Sequence, residues 1–368
     1  MEWQSKQEKQ VQRLHSILRK KGPVHYSKVD DTWHVLTHKE CSEILKNSED
    51  FSNVPLITNR VTPVDHLLNL DAPDHTRIRK FAVTAFSQAN LGKHLPNIRK
   101  YATSYLEEIV YKEKIDFVEN YSLKLPLQLM CDIFGYRDLF YQNEASLLAK
   151  WARETFGLLE GHHQPPLEWQ ELTKKYILFE RTAVERNGVL SDLVDPDLTM
   201  DEIITFVQLL FTAGIETTTD LLNNILITMV NNPEICDKLR NNNTLIPNFI
   251  DEVLRLNAST PRLFSRWTTN KVTVGNQEID KGKEVILWVS SANLDDTVFD
   301  NPTKIDLHRQ NNNHLSFGYG VHMCVGQILA KTEAYHVVEN LLKTKIIIHD
   351  VDDSWTNKKY LTVTIKDE

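Results

Sequence analysis

The chain has 368 residues, with 42 basic against 50 acidic side chains and a net charge of −8, a balance that opposes a polyanionic partner and excludes nucleic-acid binding as its main business. Its length exceeds the roughly 250–300 residues at which one hydrophobic core stops growing, yet its 13 prolines and 12 glycines are dispersed and no Ser/Gly-rich or like-charge run separates two halves, so one large unit over 1–368 is expected. Four cysteines, Cys41, Cys131, Cys236 and Cys324, form no CxxC pair, which fits neither a zinc site nor a disulfide framework and suits a reducing compartment.

From Glu2 to Lys21 the chain is charged and Gln-rich, without the apolar stretch of a signal peptide or the ~20 residues of a membrane span. A cytoplasmic protein with no membrane segment is expected. Trp3, Val11, Leu14 and Leu18 give an amphipathic helix that Gly22-Pro23 stops. The apolar runs on either side of Asp30-Asp31 predict a hairpin, and Thr37 and Glu40 a capping box opening a short helix. Two prolines and scattered apolar residues from Asn53 to Leu70 predict an ordered loop. Asp71 and Pro73 then mark a helix start, with His75 and Arg79 four apart on one face.

Helical periodicity continues through Ile98–Ile109, from Pro126 to Gly135 and from about Leu139 to Leu159. The His162-His163 pair in the following Pro-rich break lacks the converging geometry of a metal site and reads as solvated. Thr199 and Glu202 form a second capping box, opening the longest helix, to about Asn231. That helix is apolar almost all round and therefore buried. Midway it carries Ala213-Gly214-Ile215-Glu216-Thr217. A carboxylate there is costly unless solvated or paired, and the bland reading of Thr217 is a hydroxyl bonded back to Ala213.

Glu252 and Arg255 stand three apart on the next helical pattern, and Arg266 follows Pro261. Alternation at Val272/Val274 and Val285/Leu287/Val289 predicts strands, as do Lys345–His349 and Leu361–Ile365. Between them lies Phe317-Gly318-Tyr319-Gly320-Val321-His322-Met323-Cys324-Val325-Gly326, followed by a helical apolar pattern. A thiolate at Cys324 would sit at a helix N-terminus, where free N–H groups favour negative charge. Glycines at 318, 320 and 326 are expected to take positive φ and bring the backbone close to something flat and bulky.

This last run resembles the haem-binding loop of the cytochromes P450, with Phe317, Gly320, Cys324 and Gly326 in the matching places. The resemblance covers the chain from about residue 24 to its end. It implies a mainly α fold with small β-sheets, in which haem is buried between the long central helix and a proximal cysteine loop and helix. It further implies heme b (iron protoporphyrin IX), with Cys324 as the iron ligand and donor of electron density that favours O–O cleavage. His75, Arg79, Arg266 and His322 would hold its propionates, and Ala213, Gly214, Phe317, Gly318 and Gly326 would contact it.

The same resemblance makes Glu216 and Thr217 the catalytic pair, relaying protons to an oxygen pocket. Glu252 and Arg255 become a structural pair whose third partner is Arg309 or His314. The stretch 53–70 would roof the substrate cavity, and the helix–loop–helix around 161–166 would act as a lid. The implied activity is a monooxygenase inserting one atom of O2 into a mostly apolar small molecule. No flavin, nucleotide or iron–sulfur motif is present, so electrons would come from a separate ferredoxin- or flavodoxin-type donor. Two alternatives stay open: a hydrogen-peroxide-driven peroxygenase, and a non-catalytic haem-binding sensor or carrier. The intact Glu216-Thr217 pair counts against both.

Overall fold

Residues 200–231 read apolar on nearly every face, and the chain forms there a 32-residue helix whose flanks are buried along almost its whole length. Thr199 Oγ1 accepts from the Glu202 N–H while Glu202 caps the Thr199 N–H, the reciprocal box that the sequence predicts. The structure, a computed structural model, describes residues 6–55, 66–136, 147–152, 154, 166–182, 197–351 and 360–367.

In chain order the helices that position the site are α1 (Lys6–Lys21), α2 (His38–Lys46), α3 (Asp74–Ala85), α4 (Leu95–Ile109), α5 (Lys124–Phe134), α6 (Leu167–Thr182), α7 (Met200–Asn231), α8 (Pro233–Asn241), α9 (Ile246–Leu256) and α10 (Gln327–Leu341). The long helix α7 packs on α5, α6, α9 and α10, and α10 in turn packs on α4 and α9. One large apolar cluster joins them, from Ile78 on α3 through Phe134 and Phe211 to Leu341. Among the described residues no helix is long and apolar enough to cross a membrane.

The strands are short. β1 (Val24–Ser27), β2 (Thr32–Val35), β3 (Phe51–Ser52), β5 (Arg266–Thr268) and β8 (Glu284–Leu287) make a five-stranded sheet in the order β1-β2-β8-β5-β3. Only β2 and β8 pair in parallel. β4 (Ile115–Asp116), β9 (Thr344–Val351) and β10 (Leu361–Asp367) form a second sheet, and β6 (Val272–Val274) with β7 (Gln277–Ile279) a two-stranded ribbon.

Several local expectations change. Val289 is not in a strand but opens a short helix, Val289–Ala292, where the Ser291 and Ala292 amides bond back to Trp288 O and leave the sheet. At the head of α2 no side-chain cap forms: Thr37 Oγ1 donates to Glu40 Oε2, and the free His38 N–H is taken by Asp295 Oδ2 at 2.9 Å. Asp71 does not cap α3. Its carboxylate accepts from Ser52 Oγ and the Asn53 N–H instead, tying β3 to the start of the helix. Of the stretch 53–70 the ends are described, Asn53–Pro55 and His66–Leu70; residues 56–65, most of the expected lid around 161–166 with its His162-His163 pair, and most of the predicted 139–159 helix lie outside the described residues.

Candidate active site

The cysteine loop is built by glycine where the backbone requires it. Gly318 (φ 67°) and Gly320 (φ 74°) occupy the left-handed region. At Gly320 a side chain would also collide with the Leu45 carbonyl oxygen at the end of α2. Gly326 does not behave as expected. Its φ is −83°, and it serves as the residue entering α10, its missing Cβ leaving ordinary contact at 3.9 Å to Cys324 Sγ. The turn closes through Gly318 N–H to Leu315 O (2.8 Å) and Cys324 N–H to Phe317 O (2.8 Å).

All four cysteines are free, and Cys324 differs from the other three in not being buried. Its thiol is exposed to a cavity that encloses roughly 1510 Å³ including its open mouth. The cavity lies between the cysteine loop and the α7 segment at Ala213, Gly214 and Thr217, with Phe317, Gly318, His322, Gly326, Arg79 and Arg266 also lining it. Burial within the fold raises the thiol above its ordinary pKa, against the Gly326 amide, the Arg79 charge and the Gln327 amide, which favour thiolate. These amides are among the free N–H groups expected at the start of the helix after Cys324.

Four basic side chains gather beside this thiol. Arg79 Nη2 donates to the Met323 carbonyl, and burial lowers the Arg79 pKa. Arg266 is buried, donates to Phe264 O at 2.7 Å, and is brought down to about 10 by desolvation, with Asp71 opposing. His322 is pushed down to about 3, first by burial and then by His75, Arg266 and Arg79. His75 does not line the cavity; it lies behind His322, ring centroids 4.0 Å apart, with its own pKa lowered first by burial and then by Arg79. His75 Nε2 and His322 Nδ1 are buried without a hydrogen-bond partner. Among the described residues no carboxylate pairs with either arginine across a salt bridge.

A buried and a half-buried arginine beside two orphaned ring nitrogens, both depressed by burial and neighbouring charge, call for an anion. An apolar cavity with a thiol on one wall and four such donors beside it fits a flat apolar group that carries carboxylates and an iron atom. Haem has this donor requirement.

On the opposite wall Thr217 Oγ1 donates to Ala213 O at 2.7 Å, the back-bond expected of a helix threonine. Glu216 is buried on α7 but does not line the cavity. Gly214 has a reason the sequence did not disclose: a Cβ there would stand 2.7 Å from Met130 Sδ of α5. Nothing local in the sequence announces a contact between residues so far apart in the chain.

Behind the cysteine loop, Arg255 grips Glu252 with two bonds, Nε to Oε1 at 2.7 Å and Nη2 to Oε2 at 2.9 Å, both side chains fully buried. Burial alone would raise the Glu252 carboxyl; Arg255, the Asp306 amide and Arg309 outweigh it and hold it low. The third partner is Arg309, whose Nε donates to Glu252 Oε1 at 2.9 Å, joined by Asn312 Nδ2 at 2.9 Å. His314 instead faces Asp251 at 3.5 Å. Arg255 also donates to the carbonyls of Asn293, Pro302 and Lys304. Asn293, which carried no role in the sequence reading, then bonds the root of the cysteine loop at Leu315 and Ser316.

A sequence model of the family described as Cytochrome P450 matches residues 177–344. The chain is 28% identical over 362 residues to Cytochrome P450(BM-1) of Priestia megaterium, covering 90% of this chain and 86% of that protein. It is 30% identical over 287 residues to Cytochrome P450 107B1 of Saccharopolyspora erythraea, covering 76% and 69%. Among solved structures it resembles the cytochrome P450 enzyme CYP109B1 from Bacillus subtilis (TM-score 0.80, 25% identity, 96% of this chain and 98% of that one). It also shares its fold with P450BioI, solved in complex with an acyl carrier protein ligated to hexadec-9Z-enoic acid (TM-score 0.87, 24% identity, 98% and 99%). With the cysteine loop, the buried Glu252-Arg255 pair and the long α7 wall in place, these likenesses make this chain a member of the cytochrome P450 family.

Proposed function

We propose that the chain is a haem-thiolate monooxygenase of bacterial type, a single unit over 1–368 that inserts one atom of O2 into a mostly apolar small molecule. One observation carries the reading: the cysteine exposed to the cavity stands at the entry to α10 beside basic groups that have no salt-bridge partner among the described residues, and faces the α7 wall that carries Thr217. Cys324 would ligate the iron of heme b, and Arg79, Arg266, His75 and His322 would hold its carboxylates. When bound, that group supplies a redox-active iron at which dioxygen is activated.

The protein's own residues do the rest. Leu209, Leu210, Leu221, Leu263 and Phe264 line the cavity and exclude water from the reacting centre. The Thr217 hydroxyl, held by Ala213 O, presents a lone pair and a movable proton on the wall facing the thiol. Glu216, buried on the same turn, would carry protons to it from within α7. The Gly326 and Gln327 amides, set by the entry to α10, temper the charge on Cys324 sulfur. Electrons would come from a separate ferredoxin- or flavodoxin-type protein, and free, widely spaced cysteines suit a reducing cytoplasm.

The test is a single turnover of the purified, haem-loaded protein, reduced in oxygen with candidate substrates. Product formed with oxygen and reductant supports the reading. Product with hydrogen peroxide alone would make the protein a peroxygenase, and a coloured protein inert to both oxidants would make it a sensor or carrier.

A further inference from the structure

Apart from the exposed Tyr319 of the cysteine loop, whose ring lies under Lys46, the polar groups of the cavity divide by what holds them. Arg79, Arg266, His322 and Cys324 belong to the proposed cofactor. Thr217 is bonded to Ala213 O, Asn53 Nδ2 donates to Leu68 O at 2.8 Å, and Ser316 Oγ both donates to Leu254 O and accepts from Asn293. Three hydroxyls on the wall formed by α7 and the segment after α9 remain: Thr218, Ser259 and Thr260 line the cavity, and none of them makes a side-chain hydrogen bond to any described residue.

Thr218 is the informative one. A threonine inside a helix ordinarily bonds back to the carbonyl four residues earlier, as Thr84, Thr217 and Thr332 all do here, at 2.9, 2.7 and 2.7 Å. Thr218 does not, and neither do Thr212 and Thr219 of the same helix; of these three only Thr218 lines the cavity. Three hydroxyls without a protein partner on one otherwise apolar wall are hydrogen-bonding capacity that a ligand can take up.

We propose that this wall recognises a neutral oxygen function on the substrate, an alcohol or a ketone, through the hydroxyls of Thr218, Ser259 and Thr260. Hydroxyls donate and accept, so they match either group. From Leu209 to Phe264 the lining residues carry no charged side chain. A substrate carboxylate or ammonium placed there would be desolvated with no counter-ion. The substrate class is therefore an apolar skeleton bearing an uncharged oxygen, an inference that rests on the monooxygenase reading for its choice of cavity.

The test uses the haem-loaded protein and four probes on one skeleton: cyclododecane, cyclododecanol, cyclododecanone and cyclododecanecarboxylate. The reduced carbon monoxide complex is recorded first; absence of its thiolate spectrum defeats the proposed function and not this inference alone. With that spectrum present, binding is followed by the spin-state shift of the haem absorbance. The alcohol and ketone are expected to bind about five- to tenfold more tightly than the hydrocarbon, the effect of one or two neutral hydrogen bonds, and the carboxylate more weakly than either. In Thr218→Val, Ser259→Ala and Thr260→Val the preference falls singly and approaches unity when all three are combined, while hydrocarbon affinity stays level. If the combined variant does not load haem, the single variants decide by the same ratio. Equal affinity across the probes, no binding of the alcohol and ketone, or a preference untouched by the substitutions overturns the proposal.

Discussion

Asn293 donates from Nδ2 to Ser316 Oγ at 2.8 Å and accepts the Leu315 N–H on Oδ1 at 2.7 Å. Ser316 passes the link on to Leu254 O of α9, and Asn293 O receives Arg255. One buried amide thus couples the Glu252-Arg255 pair to the strand of backbone that becomes the cysteine loop. Asn293→Ala should strand the Leu315 amide and cost about 1–3 kcal/mol, read as a lower urea midpoint and faster loss of haem. Unchanged haem retention in that variant would show that the loop is held by its glycines alone.

Arg309 and His314 separate by the same logic. Arg309 touches a carboxylate that also carries Arg255, whereas His314 faces the more exposed Asp251, which Lys331 contacts at 2.6 Å. Removing one partner from a buried ionic network leaves uncompensated charge. Arg309→Met should therefore destabilise by about 1–3 kcal/mol, clearly more than His314→Ala. Equal effects in thermal melts would move the third partner back into doubt.

The contrast shows where sequence reading stops. Cys324, the Phe317–Gly326 run and the Thr199–Glu202 box were legible because each is a local pattern with a local cause. The choice between Arg309 and His314 was not, since both lie at plausible distances in sequence and only tertiary packing orients them. Asn312 and Asn293 were unreadable for a related reason: an amide carries no charge or periodicity that marks it as buried. The Thr37-Glu40 spacing was legible and misleading, because the Thr37 hydroxyl donates to the Glu40 carboxylate and so accepts no backbone amide.

Glycine positions in the loop make a matched pair. Gly320→Ala adds a side chain at φ 74° and against the Leu45 carbonyl, so strain and collision add, and a loss of about 1–3 kcal/mol with poor haem loading is expected. Gly326→Ala, at φ −83° with 3.9 Å to the thiol, should change folding stability by less than about 1 kcal/mol. Its effect belongs in the spectrum of the thiolate. A Gly320→Ala protein as stable as the parent would mean that α2 yields to the loop.

Thr217→Ala removes the hydroxyl bonded to Ala213 O but no contact to the thiol loop. Haem loading and substrate affinity should hold within about twofold, since a surface-lining methyl change costs little. Product formed per electron should fall, with the balance appearing as hydrogen peroxide. Coupling equal to the parent's would remove Thr217 from the oxygen relay.

The last prediction concerns α1, which docks on the Trp288–Asp295 corner through Arg19, whose guanidinium donates to Ser291 Oγ, Ser291 O and Leu294 O at 2.8, 3.1 and 2.8 Å. Beside it His15 is buried edge-on to Trp288, ring centroids 4.8 Å apart, and the Trp288 Nε1–H donates to His34 Nδ1 at 2.9 Å. Burial, then Arg19 and His34, bring His15 from 6.5 down to about 4. A histidine depressed in the fold binds its proton more readily when unfolded, so stability is complete above pH 6.5 and is lost as pH falls towards 4. The shift corresponds to an upper limit of roughly 3 kcal/mol. His34, His75 and His322, also depressed, and the paired Asp30 and Glu252 add their own slopes in acid, so the comparison must be with a variant. His15→Gln should flatten the melting temperature against pH between 6.5 and 4 while lowering it at neutral pH through lost packing on Trp288. A variant curve parallel to the parent's across that window would show that His15 is protonated in the fold without penalty.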